Sequence, residues 1–98
     1  MSFSRVKIKK PKIVEKSLEN EGVWGFAYQE DFFIEIEKLQ SPRNYLNTLI
    51  HEMIHCFLPD LSEKAVTRMA DIMTLEIWKK KKRIFKTKQT KAKPNNAK

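Results

Sequence analysis

Apolar and polar positions alternate through much of the first forty residues. Arg5, Val6, Lys7 and Ile8 alternate strictly, which is a strand signal. Pro11 interrupts it, and Ile13 with Val14 can extend a second piece. Asn20-Glu21-Gly22 has turn chemistry, and residues 23–28 are rich in β-branched and aromatic side chains with Gly25 among them. Gln29-Glu30-Asp31 is a plausible hairpin loop. Beyond it Phe32, Ile34 and Ile36 alternate with Phe33, Glu35 and Glu37, a period of two that implies one packed face and one wetter face. Phe33 is the exception on the wetter side and is a candidate for lining a groove. The pattern predicts a small, mostly antiparallel sheet with a hairpin over about residues 5–37.

The period lengthens after Gln40. Ser41 suits an N-cap and Pro42 the first helical position, so a helix is predicted over about 42–57. At 100° per residue Leu46, Leu49, Ile50, Met53, Ile54 and Phe57 share one stripe, while Asn44, Thr48, His51 and His55 fall roughly opposite. Pro59 stops the helix, and Asp60-Leu61-Ser62-Glu63 has the form of a capping box built on Asp60. A second helix over about 61–80 carries the stripe Val66, Met69, Ala70, Met73 and Ile77. So short a connection makes the two helices pack near-antiparallel or at a corner. The fold class is therefore α+β, a small sheet followed by two helices. Trp24, Phe26, Tyr28, Phe32 and Trp78 read as core residues rather than a binding surface.

Charge divides the chain. Of 98 residues, 20 are Lys or Arg and 12 are Asp or Glu, a net charge of +8. Residues 79–98 hold ten of the basic residues and no acid, so residues 1–78 are close to neutral. One domain is expected over 1–83, followed by a disordered basic tail over 84–98, which holds too little apolar surface to offset the entropy of ordering. The tail reads as an electrostatic arm for nucleic acid or as a solubilising end. No apolar run approaches the ~20 residues of a membrane span. The basic start has no apolar segment, so no secretory signal is expected. A single cysteine, Cys56, leaves no intramolecular disulfide and no Cys-rich zinc site, which fits a reducing, cytoplasmic compartment.

One motif carries chemistry. His51-Glu52-Met53-Ile54-His55 is H-E-x-x-H within a predicted helix, and it uses both histidines of the chain. Histidines at i and i+4 lie one turn apart on one face, so two ring nitrogens can reach one metal ion at ~2.0–2.1 Å. Glu52 projects to the side, where it can serve an attacking water as general base. A third ligand is needed. Glu63 stands just after the sharp reversal that can return it to His55. Asp60 is nearer but suits the N-cap, and Asp71 and Glu76 lie well along the second helix. Cys56 is turned about 100° from His55 and reads as a small buried hydrophobe. So few Cys and His cannot close a structural site without carboxylates, which favours an open, catalytic position. The competing reading is a non-catalytic nucleic-acid-binding or adaptor protein.

His51 to His55, followed by Leu58-Pro59-Asp60-Leu61-Ser62-Glu63, resembles the zincin superfamily of metallopeptidases. Within it the chain is similar to small metallopeptidase-like proteins of bacteriophages and, more distantly, to the SprT-like (Spartan) proteases, which act on DNA-bound proteins. The resemblance covers about residues 22–78. It implies a minimal zincin-like fold, zinc on His51 and His55, Glu52 as catalytic acid/base, hydrolysis of peptide bonds, and host cytoplasm as the setting if the source is viral. It also implies a substrate strand added to the sheet edge beside the motif helix, provided by residues 32–37 or their partner strand. Glu35 and Glu37 would then favour a basic peptide if they face the cleft. The third ligand follows no familiar spacing: Leu58 and Leu61 stand at the metzincin glycine and histidine positions, no distant histidine exists, and a thermolysin-like glutamate would fall near Glu76. Glu63, Asp60 and Glu76 stay open, with Glu63 preferred.

Overall fold

A computed structural model describes residues 8–85. Strand β1 (Lys12–Lys16) leads through a 3₁₀ turn (Glu19–Glu21) to β2 (Gly25–Tyr28) and β3 (Phe33–Glu37). Helices α1 (Pro42–Phe57), α2 (Glu63–Lys79) and the short α3 (Lys81–Phe85) follow. The expected strand at 5–8 falls mostly outside the described residues, and Ile8 is not in a strand. Most of the expected tail also lies outside them, while Ile84 and Phe85 belong to α3 rather than to a disordered segment. No helix among the described residues is long and apolar enough to cross a membrane.

The fold is α+β, but the sheet is mixed rather than antiparallel. Its order is β1-β3-β2, with β3 parallel to β1 and antiparallel to β2. The reason lies in the two connections. The tight Gln29–Phe32 turn, closed by the Phe32 N–H donating to the Gln29 carbonyl at 3.3 Å, makes β2 and β3 a hairpin. The longer link from β1 to β2 contains the 3₁₀ turn and Gly22 at φ 68°, and it leaves a strand's width between them. β3 fills that gap and so meets β1 in parallel.

Period-two alternation sorts the sheet faces as expected. Ile34 and Ile36 are fully buried beneath α1, and with Cys56 they form one core that Ala27, Phe32, Tyr45, Leu49 and Met53 complete. Phe32 joins it from the turn, at φ 54°, with its ring edge-on to Phe57 at 5.5 Å. A second core of Ile54, Val66 and Ala70 lies between α1 and α2, walled by Ile50, Leu61 and Met69. Helix α1 is thus the middle layer of three. Asn47 donates to Asp71 and Thr74, both at 3.1 Å, while His55 meets Glu63 at the other end, so α1 and α2 run antiparallel. Because helices cover only one face of the sheet, the reading of the hairpin aromatics as core is corrected. Trp24, Phe26 and Tyr28 are exposed, and Phe26, Tyr28 and Phe33 stack in a row at 5.1 Å centroid spacings on the outer face. Trp78 is half-buried, with the Lys81 ammonium 4.8 Å from its ring centroid.

Helix boundaries follow local chemistry. Ser41 Oγ accepts from the Asn44 N–H at 3.2 Å and Pro42 begins α1, as expected. At α2 the cap is Ser62, whose Oγ accepts from the Ala65 N–H at 3.1 Å, so the Asp60 capping box does not form. That shift makes Glu63 the first helical residue instead of the third, and its side chain is free to fold back towards α1.

Glu37 is 6% exposed, and its carboxylate accepts from the Leu18 N–H at 2.6 Å and the Leu39 N–H at 3.0 Å. These two donors, Leu18 first, hold the carboxyl below its ordinary range. A depressed folded value means the group's stabilisation is present above the ordinary value of 4.5 and fades as the pH falls through the lower folded value. Thermal melts of the native chain and Glu37→Gln should therefore differ most near neutrality and converge on acidification below about pH 4.5. A constant gap between the two midpoints from neutral to acid pH would remove this role.

Candidate metal centre

His51 and His55 stand one turn apart on α1, half-buried, with ring centroids 4.9 Å apart. Glu63, at the start of α2, spans both: Oε2 is 3.0 Å from His51 Nε2 and Oε1 is 2.8 Å from His55 Nε2. The three residues offer ligand atoms that all lie within 4.8 Å of one another. Bonds of ~2.0–2.2 Å in a tetrahedral site place ligand atoms about 3.3–3.6 Å apart, so small side-chain adjustments bring two nitrogens and an oxygen onto one ion. The group can hold a metal ion, and among the described residues it is the one such cluster.

Other acids are accounted for differently. Asp60 is exposed in the α1–α2 connection and outside the cluster. Asp71 accepts from Asn47. Glu76 lies between Lys79 and Lys80, at 3.5 and 2.8 Å, and Lys80 leads in holding its carboxyl below the ordinary range. Cys56 is buried against Ile34 and Ile36, where burial pushes its thiol up. It belongs to the core, as its position on the helix implied.

Glu52 lies beside the cluster and not within it. Burial pushes its carboxyl above the ordinary range, opposed by the neighbouring His51 and His55 imidazoles. The cause of that burial is β2. A Cβ placed on Gly25 would lie 2.6 Å from Thr48 Cγ2, 3.0 Å from Glu52 Cγ and 3.2 Å from Glu52 Oε2. Only glycine lets the strand pass this close to the motif helix. The same approach buries Thr48, which the helical pattern had placed on the polar side, to 6% exposure. Gln29 adds a clip, its Nε2 donating to the His55 carbonyl at 3.1 Å. Neither Gly25 nor Gln29 was singled out for the site from sequence. A glycine inside a strand pattern is the available signal, since it often marks close backbone approach.

These residues surround an open cleft of about 390 Å³, with His51, Glu52, His55 and Glu63 on one side and Gly25 to Ala27 with Gln29 on the other. A recess of about 190 Å³ continues it past Gly25 to Trp24, Asn47 and Thr48. Of the three strands, β3 is central, so it has no free edge. The unpaired edge at the cleft belongs to its partner β2. Glu35 does not face the cleft: it pairs with Lys16 at 3.4 Å and accepts from the Tyr28 hydroxyl at 3.1 Å, on the outer face. Glu37 is turned to the Leu18 and Leu39 amides and does not line the cleft either. Comparison with protein-family models, curated proteins and solved structures gives no match to this chain.

Proposed function

We propose that the chain is a zinc-dependent peptidase that hydrolyses peptide bonds in the cleft between α1 and β2. The observation that carries this reading is the meeting of His51, His55 and Glu63 beside a separate, partly buried carboxylate, Glu52, in an open cleft. Two imidazoles and one carboxylate suit zinc with a position left open for chemistry. When bound, the ion supplies Lewis acidity and a water pKa of ~7.

The chain's own residues do the rest. Glu52 takes a proton from the attacking water as its oxygen adds to the carbonyl carbon, and returns a proton to the amine nitrogen as the C–N bond breaks. A carboxyl raised by burial is better matched to both transfers near neutral pH than an exposed one. The β2 edge offers backbone N–H and C=O groups on which an extended peptide can pair, with little demand on its sequence. The lysine-rich run 79–98 would bring the enzyme to nucleic acid, so that bound proteins are its substrates.

The test is metal titration of chelator-treated protein together with cleavage of casein as an unfolded substrate. One zinc per chain, and cleavage that a chelator abolishes and zinc restores, are expected. Protein that takes up no zinc, or His51→Ala protein that takes it up equally well, would end the proposal.

A further inference from the structure

A second hollow, of about 450 Å³, adjoins the metal cleft. Its walls are Leu18, Val23, Trp24 and Leu39, and two carboxylates, Glu19 and Glu37, line it as well. Val23 also borders the metal cleft, and Trp24 also borders the recess beside Glu52, so the hollow lies next to both, past the start of β2. Its size falls in the range of roughly 300–1,000 Å³ typical of ligand sites.

The composition of the hollow is selective. Glu37 is a buried anion whose two oxygens are fixed by backbone donors, and among the described residues neither Glu37 nor Glu19 has a Lys, Arg or His partner within 4.0 Å. The two amides satisfy Glu37 with dipoles and leave its charge free of any ion pair, so a cation brought beside the two carboxylates gains a favourable Coulomb interaction. The walls ask for the opposite chemistry. Trp24 is 55% exposed and Leu39 is 76% exposed, so their apolar surface meets water. Lysine and arginine satisfy both demands: an aliphatic stem covers Val23 and Leu39, a cation reaches the carboxylates, and an indole face is a favourable neighbour for it.

We propose that this hollow is a side-chain subsite that takes a lysine or arginine of the peptide substrate. This rests on the peptidase reading for the word substrate, but the binding itself does not need the metal. A peptide extended along the β2 edge advances ~3.3 Å per residue, so the side chain beside Val23 and Trp24 belongs within about three residues of the bond facing Glu52.

The test uses the full chain carrying Trp78→Phe, which leaves Trp24 as its one tryptophan. Chelator-treated protein is titrated by calorimetry and by Trp24 fluorescence with acetyl-Ala-Ala-Lys-Ala-Ala-amide, its arginine counterpart and its norleucine isostere. The basic peptides should bind at least ~10-fold more tightly than the isostere, change Trp24 emission, and weaken as salt rises. Glu37→Gln should erase the preference. Should that variant fail to fold, Glu19→Gln and the exposed Leu39→Lys, which sets a resident cation at the rim, should each reduce it. Equal affinity for norleucine, binding that leaves Trp24 emission unchanged, or a preference that survives these variants would overturn the subsite. Zinc-loaded protein separates the two readings. Cleavage without a basic preference fails the subsite alone, while basic-selective binding without cleavage fails the peptidase alone.

Discussion

Glu52→Gln protein should bind zinc as the native chain does and hydrolyse peptides about 10²–10⁴-fold more slowly. The amide keeps the shape of the side chain but cannot accept the proton of the attacking water. Glu52 lies outside the His51, His55 and Glu63 group, so removing its charge leaves all three ligand atoms in place. The variant is also benign for folding, because it removes a carboxylate that burial already disfavours as an ion. The ligand variants should behave in the opposite way. His51→Ala and His55→Ala should lose metal and hydrolysis together. Glu63→Ala should weaken zinc binding by more than the ~10–100-fold typical of losing an outer-shell partner. Glu63 caps no backbone group, since Ser62 does that, so its loss should spare the helix. Side-by-side metal titration and single-turnover cleavage check these expectations. A Glu52→Gln enzyme with native rates would remove Glu52 from the chemistry, and a Glu63→Ala protein with native affinity would remove Glu63 from the ligands.

The parts of this site that were legible in the sequence are the local ones. The i and i+4 histidines needed only a helix, and Ser41 with Pro42 marks where it starts. The return of Glu63 to His55 follows from a short connection after Pro59, but its availability does not. Asp60 and Ser62 are both N-cap residue types, and it is Ser62 whose Oγ accepts from the Ala65 N–H at 3.1 Å. With Ser62 as the cap, Glu63 is released from the capping role that its spacing from Asp60 suggested. What stayed hidden depends on contacts between distant segments. Nothing in residues 12–16 announces a parallel pairing with β3, because strand order depends on which partner fills the space left by the longer connection. The aromatic run at 24–28 has the composition of a core strand, yet only Gly25 and Ala27 point at α1 with Ile34 and Ile36. Phe26 and Tyr28 alternate onto the opposite face and stay exposed there because no second layer covers that side. Glu37 shows the same limit, since an alternating pattern places it on the wetter face but cannot foresee the Leu18 and Leu39 amides that bury it.

Gly25→Ala should be among the most damaging small substitutions in the chain, and for a reason different from that at Gly22. Gly22 sits at φ 68°, with nothing within 4 Å of an added Cβ, so alanine there meets only backbone strain. Gly25 has no left-handed φ, but its added methyl would lie 2.6 Å from Thr48 Cγ2. Thr48 cannot easily yield. It is β-branched on a helix, buried, and its hydroxyl donates to Gln40 Oε1 at 3.2 Å. The alternative is for β2 to move off α1, which strains the sheet and opens the cleft. Overpacking of this kind costs about 1–3 kcal/mol, and in a domain this small each kcal/mol lowers the melting midpoint by about 4–8 °C. The second contact, 3.0 Å to Glu52 Cγ, makes the effect chemical as well as structural. Glu52 must shift, so cleavage should fall further than metal affinity, since the tightest contacts of the methyl are with Thr48 and Glu52 and not with His51, His55 or Glu63. Thr48→Ser separates the two effects by deleting Cγ2 while keeping the hydroxyl. The double variant should regain most of the lost stability but only part of the lost rate, because the Glu52 contact remains. Thermal melts, zinc titration and cleavage rates on the four proteins of this cycle decide it. A Gly25→Ala chain as stable and as active as the native one would mean that β2 does not hold Glu52 in place.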